Sequence, residues 1–332
     1  MPRTITNNAN LPGPIYRALS NDTYVGGGDI SVTRVIAPPR IVALKKYHED
    51  EIVEDASDRI WSVLGQAGHK VLELSAGGDE VAETRLYMPF QGIHTPDGPM
   101  MWKLSGQPDL YNKKDKVIYD YKYTSVWSVL FGDKPEWEKQ VNMQAMLHRY
   151  KEDRVESAFI VAIMRDWQTR KARYEKNYPP TQIKIIGIPL WPQGEVIDYT
   201  ERRIKLHQRA QLEYIKSNKN PDSLPLCTPD ERWYRGHGYA IKKKNTKTGV
   251  INKKADRVFD NMTDAKQYMW DNAATLPKGK EWADIEERPG ENIRCMTYCD
   301  VAAFCPFGRA LHEAEKAKHA QAALVSETTE ED

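Results

Sequence analysis

Asp109, Asp120 and Lys122 are residues of types and spacing suited to chemistry on a phosphate. The segment Gly106-Gln107-Pro108-Asp109-Leu110 is followed by a polar, turn-prone stretch, Asn112-Lys113-Lys114-Asp115-Lys116, and then by Asp120-Tyr121-Lys122. Read as a β-hairpin with strands over 102–111 and 117–123, a turn centred between Lys114 and Asp115 sets Leu110 opposite Tyr119. It sets Asp109 opposite Asp120 and Gln107 opposite Lys122. Side chains alternate along a strand, so Leu104, Leu110, Tyr119 and Tyr121 share one face and Gln107, Asp109, Asp120 and Lys122 the other. Facing carboxylates repel unless something positive lies between them, and a hard divalent cation with oxygen ligands does that. Such a cation keeps positions open for a phosphate oxygen and an attacking water. Lys122, on the same face, can polarise that water or stabilise charge building on the phosphate. A surface hairpin with ordinary charges has the same DxK spacing, so the motif must be weighed with its neighbours.

Those neighbours are helical. Gly65-Gln66-Ala67-Gly68-His69 lies in a helix expected over 49–74, whose main apolar stripe is Ile52, Ala56, Ile60, Val63, Ala67, Val71 and Leu74. His69 falls on the opposite side with Trp61, Gly65 and Leu72, which predicts a helix packed from two directions with close approach at Gly65 and Gly68. Glu138-Lys139-Gln140-Val141-Asn142-Met143-Gln144 lies on a helix after the hairpin. In this order the motifs resemble the RecB-like branch of the PD-(D/E)XK nuclease superfamily, which has GxxxH, GxxD, (D/E)xK and QxxxY. Gly65 to His69, Gly106 to Asp109 and Asp120-Tyr121-Lys122 match the first three. Gln140 matches the fourth, with Gln144 where that family usually has Tyr. The resemblance covers roughly residues 30–215. It implies an α/β, restriction-endonuclease-like mixed sheet flanked by helices. His69, Asp109, Asp120 and the Tyr121 carbonyl would hold Mg²⁺ or Mn²⁺, Lys122 would act on the water, and Gln140 would orient water or substrate.

The chain has 332 residues with 48 Lys+Arg against 47 Asp+Glu, so any basic surface must be local. Aromatics at 10% argue for an ordered protein. No apolar run is long enough for a bilayer and no leader stands at Met1, which predicts a cytoplasmic protein without a membrane partner. Residues 1–28, rich in Asn, Pro and Gly, read as a flexible arm, 29–220 as the core. Helices are expected from Pro39 to His48, over 125–131, from the Gln140 region to Lys151 and over 195–217. Strands are expected over 81–89, carrying Glu83 as an additional acidic contact or a surface charge, and over 157–164 and 182–190. Between these last two, Arg165, Trp167, Arg170, Lys171, Arg173 and Tyr174 interleave cations with aromatics, which suits single-stranded DNA or a solvated loop.

Cys295, Cys299 and Cys305 form a compact trio, with Cys227 far upstream. Four thiolates in a reducing compartment suit a [4Fe–4S] cluster or zinc, and the absence of paired CxxC knuckles disfavours zinc. The trio resembles the C-terminal cluster motif of iron–sulfur RecB-like nucleases, the AddB-type recombination subunits and the CRISPR-adaptation exonucleases. In them the lone cysteine precedes the nuclease motifs, whereas here it follows them. The resemblance implies a cluster stapling a module over 221–315 to the core. Within that module two strands over 239–244 and 250–259 carry Lys242, Lys243, Lys244, Lys247, Lys253, Lys254 and Arg257, fit to grip phosphates or to protect a sheet edge. An acidic tail over 316–332 is expected to be disordered beyond Ala320.

The reading is a metal-dependent deoxyribonuclease, an exonuclease of recombination, repair or replication acting on single-stranded DNA or DNA with free ends, with protein partners from those processes. The alternatives are an endonuclease and a catalytically silent DNA-binding or assembly protein.

Overall fold

Residues 3–21, 26–131 and 134–328 are described by a computed structural model. They divide into two units, Met1–Pro225 and Leu226–Asp332. The first runs through β1 (Thr4–Thr6), α1 (Gly13–Ser20), β2 (Ile30–Ser31), α2 (Val32–Ile36), α3 (Pro39–Tyr47), β3 (Val53–Asp55), α4 (Ile60–Ser75), β4 (Glu80–Ala82) and β5 (Leu86–Thr95). It continues through β6 (Gly98–Gly106), β7 (Leu110–Asn112), β8 (Val117–Thr124), α5 (Val126–Leu130), α6 (Pro135–Tyr150), β9 (Ser157–Met164), α7 (Thr169–Tyr174), β10 (Ile183–Gly187) and α8 (Gln193–Lys216).

Two mixed sheets carry this unit, one ordered β10-β9-β8-β7-β4 and one ordered β2-β6-β5. β8 and β9 run parallel, with Asp120 opposite Ile160 and Lys122 opposite Ala162. α6 lies between the sheets. Its Val141 and Ala145 pack with Ile118 and Ile160 of the larger sheet. Its Met143, Met146 and Leu147 pack with Phe90 and Leu104 of the smaller. Burial of each such side chain is worth roughly 1.5–3 kcal/mol, so α6 fixes how the two sheets meet. Pro135 at the helix start and Glu136 and Glu138 in the first turn suit its N-terminus. The fold is mixed α/β, with helices flanking the sheets.

The expected register of Leu110 opposite Tyr119 is present. The first hairpin strand, however, is two strands in different sheets: β6 ends at Gly106 in the smaller and β7 begins at Leu110 in the larger. Pro108 has no N–H to give a ladder, so the chain changes sheets across Gln107-Pro108-Asp109. Leu104 therefore does not share a sheet face with Leu110. Gly106 permits the close passage, since a Cβ there would stand 2.5 Å from Leu147 Cδ1.

Other expectations also change. The helix expected from residue 49 is β3, a 3₁₀ turn at Ala56–Arg59 and then α4. No residue of α4 is buried, and Val71 and Leu74 are largely exposed, so the C-terminal part of the expected main apolar stripe is not packed. Gly68 admits the Tyr123 ring, which would lie 2.1 Å from an added Cβ, whereas Gly65 faces open space. The N-terminal residues are not a loose arm: β1 pairs in parallel with β3, and the Thr6 hydroxyl donates to Asp55 Oδ2. Residues 1–2 and 22–25 of that arm lie outside the described residues.

The second unit comprises β11 (Tyr234–Arg235), β12 (Gly238–Ile241), β13 (Lys243–Asn245), β14 (Arg257–Phe259), α9 (Met262–Asp271), β15 (Lys280–Trp282), β16 (Glu286–Arg288), β17 (Glu291–Asn292) and α10 (Pro306–Thr328). β12 is central to an antiparallel β14-β12-β16 sheet. α10 carries the expected tail on as helix to Thr328, and residues 329–332 lie outside the described residues. Among the described residues no helix is long and apolar enough to cross a membrane.

Candidate metal centre

A cleft of about 1080 Å³ in the first unit is lined by His69, Glu83, Asp109, Tyr121, Lys122, Gln140 and Gln144, among others. α4 supplies His69, the β4–β5 connection Glu83, the sheet-changing segment Asp109, β8 Tyr121 and Lys122, and α6 the two glutamines. His69 Nδ1 lies 3.3 Å from Glu83 Oε1 and 3.5 Å from Asp109 Oδ1. Among the described residues, His69, Glu83 and Asp109 form the one set of three His, Cys, Asp or Glu donors whose ligand atoms all lie within 4.8 Å of one another. Two of the three donors are held from behind. Gln107 Nε2 donates to Glu83 Oε2 at 2.6 Å, and Arg85 Nη2 donates to Gln107 Oε1 at 2.5 Å. The Tyr121 N–H donates to Asp109 Oδ2 at 2.6 Å.

The electrostatics follow from burial and crowding. Burial and the nearby Asp120 charge push the Asp109 carboxyl up to about 7, against the pull of His69, Lys122 and the Tyr121 N–H. The hydrogen bond to Glu83 raises His69, aided by the charge of Asp109, although burial opposes it. Burial would raise Glu83, but hydrogen bonds from His69 and Gln107 outweigh it and leave the carboxyl lowered. An Asp protonated near neutrality beside a half-buried imidazole is a site short of positive charge.

Asp120 is fully buried and faces α6. Its Oδ1 accepts from Gln140 Nε2 at 3.0 Å and from Gln144 Nε2 at 3.3 Å, and its Oδ2 lies 2.5 Å from Lys122 Nζ. Lys122 Nζ also donates to Gln140 Oε1 at 3.1 Å. Period-2 alternation puts Ile118, Asp120 and Lys122 on the α6 side of β8 and Tyr121 and Tyr123 toward His69. Asp109 and Asp120 are thus close enough to repel without sharing one donor set. Asp120, expected to be a metal ligand, lies outside the His69–Glu83–Asp109 set, its Oδ2 ion-paired with Lys122 but buried without a hydrogen-bond partner among the described residues. Glu83, read only as an additional contact or a surface charge, completes that set. The signal that marks Glu83 is structural: it has φ +48 where the chain turns out of β4, which aims its side chain at His69. Gln144, where the resembled family has Tyr, serves Asp120 through Nε2, while its Oε1 is buried with no partner among the described residues.

In the second unit Cys227 joins the trio: its thiol feels Cys295, Cys299 and Cys305. Burial, then Glu231 and these neighbours push Cys227 up to about 12, and burial pushes Cys299 up to about 11. Burial likewise raises Cys295, with Arg232 and Arg294 acting against it. The trio is carried by a π-helical turn at Arg294–Tyr298 and a 3₁₀ turn at Ala302–Phe304, and His312 Nε2 lies 3.1 Å from the Cys295 carbonyl. Three of the seven cations of the basic insert are already paired, Lys242 with Glu286, Lys243 with Asp256 and Lys244 with Glu281.

No family model and no curated protein matches the sequence. The chain is similar to the solved structure of SSO0001 at 18% identity and a TM-score of 0.40, over 58% of this chain and 84% of that one.

Proposed function

We propose that the first unit is a metal-dependent deoxyribonuclease that hydrolyses phosphodiester bonds, acting from DNA ends in recombination, repair or replication. The observation that carries this is the His69–Glu83–Asp109 donor set opening into the same cleft as Lys122. One imidazole and two carboxylates suit Mg²⁺ or Mn²⁺, and the raised Asp109 marks a place where a cation relieves repulsion. When bound, such an ion would polarise the phosphate and acidify a water.

The chain's own residues do the rest. Lys122 presents a cation to the cleft, anchored by Asp120 and Gln140 so that little reorganisation accompanies charge development on the phosphate. Gln140 positions Lys122 and Asp120 at once. The unsatisfied Gln144 Oε1 is an acceptor for a water or a substrate proton. In the second unit, four desolvated thiols with two nearby arginines fit a [4Fe–4S] cluster, whose anionic thiolates those arginines would balance. The order of GxxxH, GxxD, DxK and Gln motifs supports the PD-(D/E)XK reading.

Anaerobically purified protein should shorten end-labelled DNA only when Mn²⁺ or Mg²⁺ is added. Absence of hydrolysis on single-stranded, double-stranded and overhang substrates across a range of both ions would overturn the proposal and leave a DNA-binding or assembly role on the same fold.

A further inference from the structure

Trp61, Gly65 and His69 succeed one another at four-residue intervals along α4 and line one wall of the cleft. At the helical rise of 1.5 Å per residue, Trp61 stands about 12 Å from His69 along the helix axis. It is 54% exposed, a large indole left in water. The Arg165 guanidinium lies over it at 4.2 Å from the ring centroid. Gly65, between indole and imidazole, has nothing within 4 Å of where its Cβ would be, so the wall is open there.

A second platform adjoins the end of β8. The Arg165 N–H donates to the Thr124 carbonyl, and the Val126 N–H donates to Asp166 Oδ1, tying the start of α5 to the Arg165 segment. On α5, Trp127 stacks on Phe131 with centroids 5.3 Å apart and planes 3° apart, and the pair is 51% and 78% exposed. Lys171 Nζ lies 5.7 Å from the Trp127 centroid. Neither Arg165 nor Lys171 forms an ion pair among the described residues, so both charges remain open to an anion. Exposed apolar rings without a partner are costly in water, and cations beside them point to an occupant with flat faces and negative charge.

We propose that Trp61 with Arg165, and Trp127 and Phe131 with Lys171, form a stacking track for unpaired nucleotides beside the cleft. Bases would lie on the rings while phosphates meet the two cations, and the track selects single-stranded DNA over duplex, whose bases are already stacked. This deepens the nuclease reading and rests on it for the identity of the polymer.

The test is binding of fluorescein-labelled oligothymidylate and of a blunt hairpin duplex to the full chain in metal-free buffer, read by anisotropy. Trp61→Ala and Trp127→Ala should each weaken oligothymidylate binding about 10-fold or more, as loss of one base–aromatic stack does. Trp61→Phe and Trp127→Phe should stay close to wild type, and duplex binding should change little. Unchanged oligothymidylate affinity in both alanine variants, or an equal loss on duplex, overturns the track. Hydrolysis with Mn²⁺ by a protein whose alanine variants bind normally would defeat this inference alone. Ring-dependent binding with no hydrolysis under any divalent ion would defeat the nuclease reading alone.

Discussion

The carboxylate cleft and the cysteine cluster are both proposed here as places for a metal, yet they are held together in opposite ways. In the cleft, charge is answered from within the chain. Asp120 has Lys122, Gln140 and Gln144, and Glu83 has His69 and Gln107. The fold therefore supports this site before any ion arrives, with Asp109 the residue left carrying the strain. At the cysteines, burial and mutual repulsion push Cys227, Cys295 and Cys299 up, and protonated thiols offer one another little. On the proposed reading, that region needs its bound group to be stable, whereas the cleft needs its ion only to act. Metal removal should silence one region and loosen the other.

The largest effect expected of a single substitution in the cleft is from Lys122→Ala, with hydrolysis falling about 10²-fold or more. Because its partner Asp120 is fully buried, the same change should also cost about 3–5 kcal/mol in denaturant unfolding. Adding Asp120→Asn should recover most of that stability and none of the activity. Wild-type turnover by the single variant would remove Lys122 from the account.

At the cysteines the effect should be structural. Replacing Cys227, Cys295, Cys299 or Cys305 by Ser should eliminate iron and acid-labile sulfide, since the chain has four cysteines and no spare. Hydrogen exchange should then accelerate within Leu226–Asp332 and change little within Met1–Pro225. Stoichiometric zinc without sulfide in anaerobically produced protein would make the site a zinc staple and contradict the cluster.

A smaller effect separates the two regions by pH. Asp109 binds its proton more tightly folded, up to about 7, than unfolded, near the ordinary aspartate value of 3.8. Its contribution to the metal-free protein is thus fully present below about 4 and lost as pH rises through 7. Asp109→Asn should therefore be more stable than wild type at pH 8, with the difference vanishing toward pH 4. Thermal melts of metal-free protein at both pH values check this, and a gap that is independent of pH would count against the crowded carboxylates.

The helices and strands that position the cleft were largely legible. The alternation in Ser157–Met164, the DxK strand and the Pro-started α6 all follow from local pattern. What was not legible depends on contacts distant in sequence. Local pattern sets Pro108 inside one strand over 102–111, and only the pairing of β6 with β2 and β5 shows that the chain changes sheets there. Asp109 and Asp120 looked like one facing pair, and the break in the strand sends one toward His69 and the other toward α6. Glu83 could not be ranked above other acidic residues because its role comes from a positive φ and from Gln107, both products of folding. Lys242 and Lys244 of the insert looked free because their acidic partners lie on other strands.

Isothermal titration of Mn²⁺ into anaerobically purified wild type, Glu83→Gln, Asp109→Asn and Asp120→Asn tests most directly whether the cleft is a metal centre built on His69, Glu83 and Asp109. The account predicts that Glu83→Gln and Asp109→Asn each lose at least about 10-fold in affinity, since a neutral amide is a poorer ligand for a hard cation. Asp120→Asn should lose much less, because that carboxylate is committed to Lys122. Wild-type affinity in Glu83→Gln together with abolished binding in Asp120→Asn would contradict this donor set and restore the facing pair Asp109 and Asp120 as the metal's ligands.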